Sequence, residues 1–421
     1  MFTALDSRWM AQAMRLAEQG LYGTSPNPRV GCVLVAGEDI VGSGWHQRAG
    51  EPHAEAHALR EAGEAAHGAT AYVTLEPCSH HGRTPPCADA LIAARVARVV
   101  VAVQDPNPQV AGEGIAKLRA AGIVVEAGLM EAEARELNVG FFARMTRGTP
   151  WVRSKIAMSL DGRTALANGV SQWITGEAAR RDVQHWRARS SAVLTGINTV
   201  LADDPQLSVR DIAVERQPLR VVLDSRLRMP LNARILAAKQ NPSLAIHNRE
   251  KRQSSPAYYE SLSWPLNIPH RERQSSFSSG GGELLIYSAT QDAQKIAALE
   301  KEGATVCILP DGEGQVDLAA MLSDLAKRGC NEVLVEAGSI LNGALMRAGR
   351  VDELLLYVAP QLLGDAARGM AQLGELTSLD QCANLKWQDV RQVGNDLRVL
   401  VKVENVNPPQ SPLVRGDALL P

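Results

Sequence analysis

The sequence predicts an α/β protein built as two successive domains. Apolar runs of strand length alternate with helical stretches along most of the chain, the signature of a layered sheet. The alternation breaks at Arg144-Met145-Thr146-Arg147-Gly148-Thr149-Pro150 and then restarts. At 421 residues the chain also exceeds one ordinary domain of ~100–200 residues. The expected units are 1–147 and 148–404.

In the first unit, a helix capped by Asp6 or Ser7 presents Trp9, Met10, Ala13, Met14 and Ala17 at helical spacing and stops at Gly20. Apolar runs at 29–36 and 40–45, split by Gly37-Glu38-Asp39, predict a hairpin. Helices follow at 53–61, 85–94 and 114–121, with strands at 69–75, 97–103 and 123–127. Prolines in the first turn of the 85–94 helix cost little, because their missing N–H would have no partner inside the helix.

In the second unit, strands are predicted at 151–158, 192–195, 219–224, 284–287, 304–309, 332–336 and 353–358. Helices are predicted at 176–189, 291–302, 316–327 and 339–347. Residues 385–403 read as a hairpin turning at Gly394-Asn395-Asp396. Residues 251–282 are rich in Ser, Pro and charge, which predicts a surface insertion, and 405–421 read as a disordered tail.

Composition narrows the function. The chain is 45% hydrophobic and 21% charged with a formal net charge of −2, which argues against a large nucleic-acid footprint. It leaves room for a small phosphorylated substrate gripped by a few arginines. No apolar run approaches the ~18 residues of a membrane span, and Met1-Phe2-Thr3-Ala4-Leu5-Asp6 does not open a signal peptide, so a cytoplasmic location is expected. Six cysteines are too few for a disulfide framework, and Cys32, Cys307, Cys330 and Cys382 are expected to be buried thiols.

The other two cysteines point to chemistry. His53-Ala54-Glu55 opens a helix, Pro77-Cys78 ends a strand, and Cys87 starts the next helix. One imidazole and two thiolates suit tetrahedral zinc, and three protein ligands leave the fourth position for water, as in a catalytic site. Zinc lowers the pKa of that water toward ~7, and Glu55 stands two residues from the His ligand, placed to take and return protons. The H-x-E and P-C-x-x-C signature of zinc deaminases is met in its first half only, because eight residues separate Cys78 from Cys87. Alone, His-Ala-Glu is an ordinary helix start; the full set is what carries the signal. His57, one turn on, is an alternative ligand, and His80 and His81 could contact substrate or close a structural site.

Longer motifs extend this reading. The segments Pro26-Asn27-Pro28-x-Val30-Gly31, Gly50-Glu51-Pro52-His53-Ala54-Glu55, the whole run from Thr74 to Cys87, and Gln104-Asp105-Pro106-Asn107-Pro108 come from the first half. Lys155–Arg163, Ser171-Gln172-Trp173-Ile174-Thr175, Ala202-Asp203-Asp204-Pro205, Val335-Glu336-Ala337-Gly338 and Ala359-Pro360-x-Leu362-Leu363-Gly364 come from the second. Together they resemble the bifunctional riboflavin-biosynthesis deaminase–reductase family over about residues 6–404. The resemblance implies a cytidine-deaminase-like three-layer α/β/α domain followed by a dihydrofolate-reductase-like α/β domain. It implies zinc-dependent removal of the 2-amino group of 2,5-diamino-6-(5-phosphoribosylamino)pyrimidin-4-one, then NADPH reduction of the ribosyl group to ribityl. The implied partner is that small phosphorylated pyrimidine, with neither nucleic acid nor membrane; a homo-oligomer is compatible with it.

Read physically, the second unit offers a strand-to-helix turn at Glu336-Ala337-Gly338-Ser339, whose backbone N–H groups could bind a cofactor phosphate or merely allow close packing. It is not a G-x-G-x-x-G fingerprint, so a Rossmann domain is not expected. Arg187 and Arg210 could clamp a phosphate bidentately, or be solvated surface charges. Asp203-Asp204-Pro205 could be only a capped turn, and Ser171 and Trp173 only packing residues. The resemblance assigns cofactor contact to Ala157, Trp173, Thr199, Asp203, Ser225, Gly338, Ser339, Ile340, Leu341, Asn342, Gly343 and Ala344. It assigns substrate contact to Ser171, Arg187, Leu207, Arg210 and Glu336, and leaves the proton donor of the reduction open. Two rivals remain at this stage: a nucleic-acid-editing zinc deaminase and a non-catalytic structural zinc module.

Overall fold

A computed structural model describes residues 2–79, 86–108, 110–237 and 282–404. The predicted insertion at 251–282 (but for Gly282), the tail at 405–421, and His80 and His81 lie outside the described residues.

The first layer set is built on α1 (Ala4–Glu18), β1 (Gly31–Ala36), β2 (Asp39–Trp45), α2 (Ala54–Ala62), β3 (Thr70–Val73), α3 (Cys87–Ala93), β4 (Arg98–Val101), α4 (Glu113–Ala120), β5 (Val124–Ala127), α5 (Glu131–Leu137) and α6 (Val139–Arg147). The strands form one sheet in the order β2-β1-β3-β4-β5. β1 runs antiparallel to both neighbours, and β3, β4 and β5 run parallel. β1 shows why three layers form. Its apolar run has no polar face, so Cys32 and Leu34 join the core under α2, α3 and α4, while Val33 and Val35 pack with Trp9, Met10, Phe141 and Phe142 on the other side.

The start of α1 corrects the sequence reading. Thr3 is the cap, and its hydroxyl accepts from the Asp6 backbone N–H while the Asp6 carboxylate accepts from the Thr3 N–H. Asp6 is therefore the third helical residue of a capping box, not the cap itself. It also accepts from the Tyr72 hydroxyl at 2.8 Å and pairs with Arg98 at 2.6 Å, tying α1 across β3 and β4. The helices α5 and α6 have no counterpart among the elements expected from sequence.

The second half contributes β6 (Trp151–Ser159), β7 (Arg163–Ala165), α7 (Glu177–Arg189), β8 (Ala192–Gly196), α8 (Ile197–Asp203), β9 (Leu219–Leu223), α9 (Arg234–Ala237), β10 (Leu284–Ser288), α10 (Ala293–Lys301), β11 (Ala304–Ile308), α11 (Leu318–Lys327), β12 (Glu332–Val335), α12 (Ser339–Arg347), β13 (Glu353–Ala359), β14 (Arg368–Gly369), β15 (Asn384–Val393) and β16 (Asp396–Glu404). Nine strands form the sheet β11-β10-β9-β8-β12-β6-β13-β16-β15. All pairs are parallel up to β13, and the hairpin β15–β16 closes the edge antiparallel. Alternate residues again face opposite cores: Val333 and Val335 pack with α11, whereas Leu334 packs against Trp186 and Val183 of α7.

The expectation for the four remaining cysteines holds in part. Cys32 and Cys330 are buried, but Cys307 and Cys382 are partly exposed, since β11 is an edge strand and Cys382 precedes one. No helix among the described residues is long and apolar enough to cross a membrane.

The Asp6 node yields a stability test. Asp6→Ala removes the capping box and leaves Arg98 and Tyr72 short of a partner, which should cost about 3 kcal/mol. A denaturant or thermal melt of the full chain should show an earlier first transition; an unshifted transition would reject the assignment.

Candidate active sites

The two thiols and the imidazole meet where three elements end. His53 occupies the cap position of α2, Cys78 lies beyond the end of β3, and Cys87 is the first residue of α3. His53 Nδ1 stands 3.6 Å from Cys78 Sγ and 3.3 Å from Cys87 Sγ. Ligands ~2.1 and ~2.3 Å from one tetrahedral zinc would stand ~3.5 Å apart, so the donor set fits that metal. Among the described residues, the group able to share an ion is His53, Cys78 and Cys87, without His57. The Cys87 backbone N–H also donates to Cys78 Sγ at 3.3 Å, biasing that sulfur toward the thiolate. Hydrogen bonds from Cys87 and His53 pull the Cys78 thiol down to about 4, despite burial.

Glu55 sits in the first turn of α2, 3% exposed, and its Oε2 has no hydrogen-bond partner among the described residues. Burial, and then the neighbouring Cys78 sulfur, raise this carboxyl above its usual range. A buried carboxyl with an unused oxygen beside a metal-ready cluster is suited to carrying protons.

The surroundings fix the ligand geometry. The Glu76 carboxylate accepts from the backbone N–H groups of Asp105, Gly112 and Ile115 at 3.2, 2.9 and 3.1 Å, binding the following loop to the Pro77-Cys78 turn. A Cβ at Gly114 would collide with the Pro77 carbonyl, so this close approach needs glycine. His46 stacks edge-on against His53 with ring centroids 5.2 Å apart. It accepts from Asn27 Nδ2 through Nε2 at 3.0 Å, and its Nδ1 lies 3.2 Å from the Pro52 carbonyl. That pattern requires the neutral ring, and burial holds His46 down at about 4.

The second cluster gathers at the carboxyl ends of parallel strands, where open α/β sheets place their clefts. Ala157 lies near the end of β6, Thr199 and Asp203 on α8 just after β8, Ser225 after β9, and Glu336 after β12. Gly338 through Ala344 form the start of α12, and Ser339 and Ile340 line a cleft of about 300 Å³ with Arg368, Gly369, Ala371 and Gln372. Trp173 is 69% exposed, lies under the Arg180 guanidinium at 4.6 Å, and lines a separate cleft of about 450 Å³ reaching Pro360 and Asp396.

Several assigned residues have identifiable structural duties. The Asn342 amide donates to the carbonyls of Ala337 and Met370 and accepts from Ser154, and a Cβ at Gly343 would strike Gln372. Ser225 Oγ accepts from the Val316 N–H at 3.2 Å, and Asp203 accepts from Gln172 at 3.3 Å, linking α8 to the segment carrying Ser171.

Of the two arginines expected to clamp a phosphate, Arg187 already has a protein partner. Its fork is committed to Glu336, at 2.5 Å from Nε and 2.9 Å from Nη2, while Nη1 donates to the Ser208 carbonyl. Arg210 is instead the exposed cation of the pair, and Leu207 is buried in the core with φ +57°. Lys155 was quoted only as part of a motif. Burial pushes its ammonium below its ordinary value, Glu336 opposes that, and Arg187 adds to it. Its position in a mid-sheet strand reads as core from sequence alone, so no local signal set it apart.

The fold and the metal-ready cluster define a zinc-deaminase-type half joined to a second α/β half with clefts at its strand ends. Residues 3–103 match the cytidine and deoxycytidylate deaminase zinc-binding region, and residues 150–270 and 260–399 match the RibD C-terminal domain. Riboflavin biosynthesis protein RibD of Escherichia coli K12 is 47% identical over 392 residues, covering 93% of this chain and 98% of that protein. The Haemophilus influenzae RibD is 42% identical over 94% of this chain and 97% of its own length. Acinetobacter baumannii RibD superposes with TM-score 0.79 at 44% identity, over 95% of this chain and 99% of that one. A Thermotoga maritima diaminohydroxyphosphoribosylaminopyrimidine deaminase/5-amino-6-(5-phosphoribosylamino)uracil reductase superposes with TM-score 0.76 at 28% identity, over 95% and 99%. The chain belongs to the RibD family, the bifunctional deaminase–reductases of riboflavin biosynthesis.

His46 gives a pH test with a defined sign. Its folded pKa of about 4 lies below the ~6.5 of an unfolded histidine. Between those values the unfolded chain gains a proton that the folded chain does not, so stability is full above ~6.5 and declines as pH falls toward 4. In metal-free protein, His46→Gln should remove about 2–3 kcal/mol of the loss seen between pH 7 and 4.5. Parallel stability–pH curves for the two proteins would contradict this.

Proposed function

We propose that the unit 1–147 hydrolyses the 2-amino group of 2,5-diamino-6-(5-phosphoribosylamino)pyrimidin-4-one, with His53, Cys78 and Cys87 holding zinc and Glu55 moving the protons. The unit 148–404 then reduces the ribosyl group of the product to ribityl with NADPH. The single observation that carries this reading is the approach of His53 Nδ1 to both sulfurs, next to a buried carboxyl with an unused oxygen.

A zinc ion held by His53, Cys78 and Cys87 would lower the pKa of a bound water and so supply the nucleophile for the pyrimidine carbon. Glu55 takes the proton that the water gives up and delivers it to the departing amino nitrogen, which leaves as ammonia. Its burial suits both transfers, because a raised carboxyl holds and releases a proton nearer neutral pH. The helix start at Cys87 and the Glu76-bound loop keep the sulfurs in place while this occurs.

In the second step a bound NADPH would supply a hydride to the sugar carbon bonded to the amine, and a proton would have to reach the sugar oxygen. Gly338, Ser339 and the α12 start offer backbone N–H groups to a cofactor phosphate, with Ile340, Leu341 and Ala344 on the same helix. Ala157, Trp173, Thr199, Asp203 and Ser225 complete the proposed cofactor contacts. Arg210 supplies the positive charge for the substrate phosphate, beside Ser171 and Leu207, and Arg187 holds the 207–210 turn against Glu336.

Two outcomes test this. Glu55→Gln should retain zinc at one ion per chain while ammonia release falls by about 1,000-fold, the middle of the range that loss of a general acid–base group costs; near-normal turnover would return the site to a structural role. Arg210→Ala should raise the KM of the reductase step by roughly tenfold or more, the size of a lost charge-assisted contact, with kcat less affected. An unchanged KM would remove Arg210 from the phosphate site.

A further inference from the structure

The two halves meet through a loop that also serves the metal cluster. Residues 25–29 lie between α1 and β1 of the deaminase half, yet their outward partners belong to the reductase half. Ser25 Oγ lies 2.9 Å from Ser191 Oγ, and the Pro26 carbonyl accepts from Asn331 Nδ2 at 3.0 Å. Arg29 reaches Glu332 at 2.8 Å, where the same carboxylate is also held by Arg153 at 3.0 Å and Arg189 at 2.9 Å. Glu332 is 1% exposed; burial would raise its carboxyl, but Arg189, Arg29 and Arg153 together hold it far below the usual range.

Inward, the same loop holds the histidine behind the metal ligand. Asn27 Nδ2 donates to His46 Nε2, and the Val30 carbonyl accepts from the His46 backbone N–H at 2.9 Å. His46 in turn contacts the Pro52 carbonyl and the face of His53. A second tie reaches the strand-to-helix segment ahead of His53, where Arg48 pairs with Glu215 at 2.6 Å. The deaminase half therefore presents the ring of His53 on a support whose far end is anchored in the other domain.

We propose that Glu332, with Asn331, is a positioning residue for deamination: the reductase half sets the orientation of His53 through Arg29, Asn27 and His46. This rests on the deaminase reading above. Removing one partner from a buried ion cluster leaves an uncompensated charge, so the loop must shift or hydrate to relieve it. Such a shift reaches His53 after two side-chain contacts, and small displacements at a reacting centre have large kinetic effects.

The test uses the full-length protein with Glu332→Gln, the milder Asn331→Ala, and Glu353→Gln as a matched control. Glu353 is equally buried and pairs with Arg153 and Trp151, with no hydrogen bond or ion pair to the 25–29 loop among the described residues. Ammonia release, NADPH oxidation on pre-deaminated substrate, and the visible spectrum of Co²⁺-substituted protein are measured for each. Glu332→Gln and Asn331→Ala should each lower the deaminase kcat at least tenfold more than the reductase kcat and shift the cobalt bands. Glu353→Gln should leave the bands in place and affect the two activities alike. Unmoved bands in both loop-side variants, or deaminase and reductase falling in step, overturn the proposal. A wild-type protein that binds Co²⁺ but releases no ammonia instead overturns the deaminase reading, while the band positions still decide the positioning claim.

Discussion

Three donor atoms far apart in the chain must arrive within one coordination sphere, and the N-terminal half is arranged around that demand. None of the three donors can be placed by its own neighbours in sequence. His53 is set by the start of α2, Cys78 by the turn after β3, and Cys87 by the start of α3. Those three ends converge because the sheet between them is covered on both faces. The buried core of Cys32, Leu34, Val73, Val99 and Val101 fixes where the helices can sit. The remaining freedom is removed by polar contacts: Glu76 gathers three backbone N–H groups, and Gly114 lets α4 press against the Pro77 carbonyl. A cluster of thiols and imidazole without such support would spread under its own repulsion once the thiols ionise.

The reductase site follows a different logic. It has no single coordination centre; most of its candidates are spread along the carboxyl ends of four parallel strands, β6, β8, β9 and β12. The sheet supplies the common edge, and the residues need only follow their strands directly. Side chains that hold this edge together and side chains that could meet a ligand are interleaved. Asn342 is consumed by backbone carbonyls of its own neighbourhood, whereas Ser339 and Ile340, three and two residues earlier, line open space.

Legibility in the sequence tracks how committed each residue type is. The metal-ready set was readable because two cysteines and a histidine at element ends have few other uses, and the group able to share an ion among the described residues consists of those three and excludes His57. The strand pattern of β1, β12 and β10 was readable for the same reason, since unbroken apolar runs must be covered on both sides. Arg187 was harder, because a lone arginine in a helix says nothing of which carboxylate it will meet 149 residues later. Arg220 lay beyond reach: it is fully buried in β9, donating to the carbonyls of Ile235 and Gly282, where an alternating strand pattern would place it in solvent. The helices α5 and α6 were missed because α5 buries little beyond Ala134, and Asn138 breaks the run before the apolar face of α6 begins.

The junction between the halves buries charge where an apolar contact would be simpler. Hydrophobic surfaces slide against one another with little penalty, whereas an arginine fork on a carboxylate tolerates neither rotation nor displacement. Glu332 accepts from three arginines drawn from the loop before β1, from β6 and from the end of α7, so a single carboxylate fixes three backbones at once. Such a cluster adds little net stability over well-packed apolar residues. What it does add is a unique docking angle, the one property an apolar seam would not provide. Where one half prepares the substrate of the other on the same chain, a fixed angle keeps the deaminase support loop and the reductase strand ends in constant relation. The ion cluster is thus better understood as a hinge pin that has been locked than as a source of folding energy.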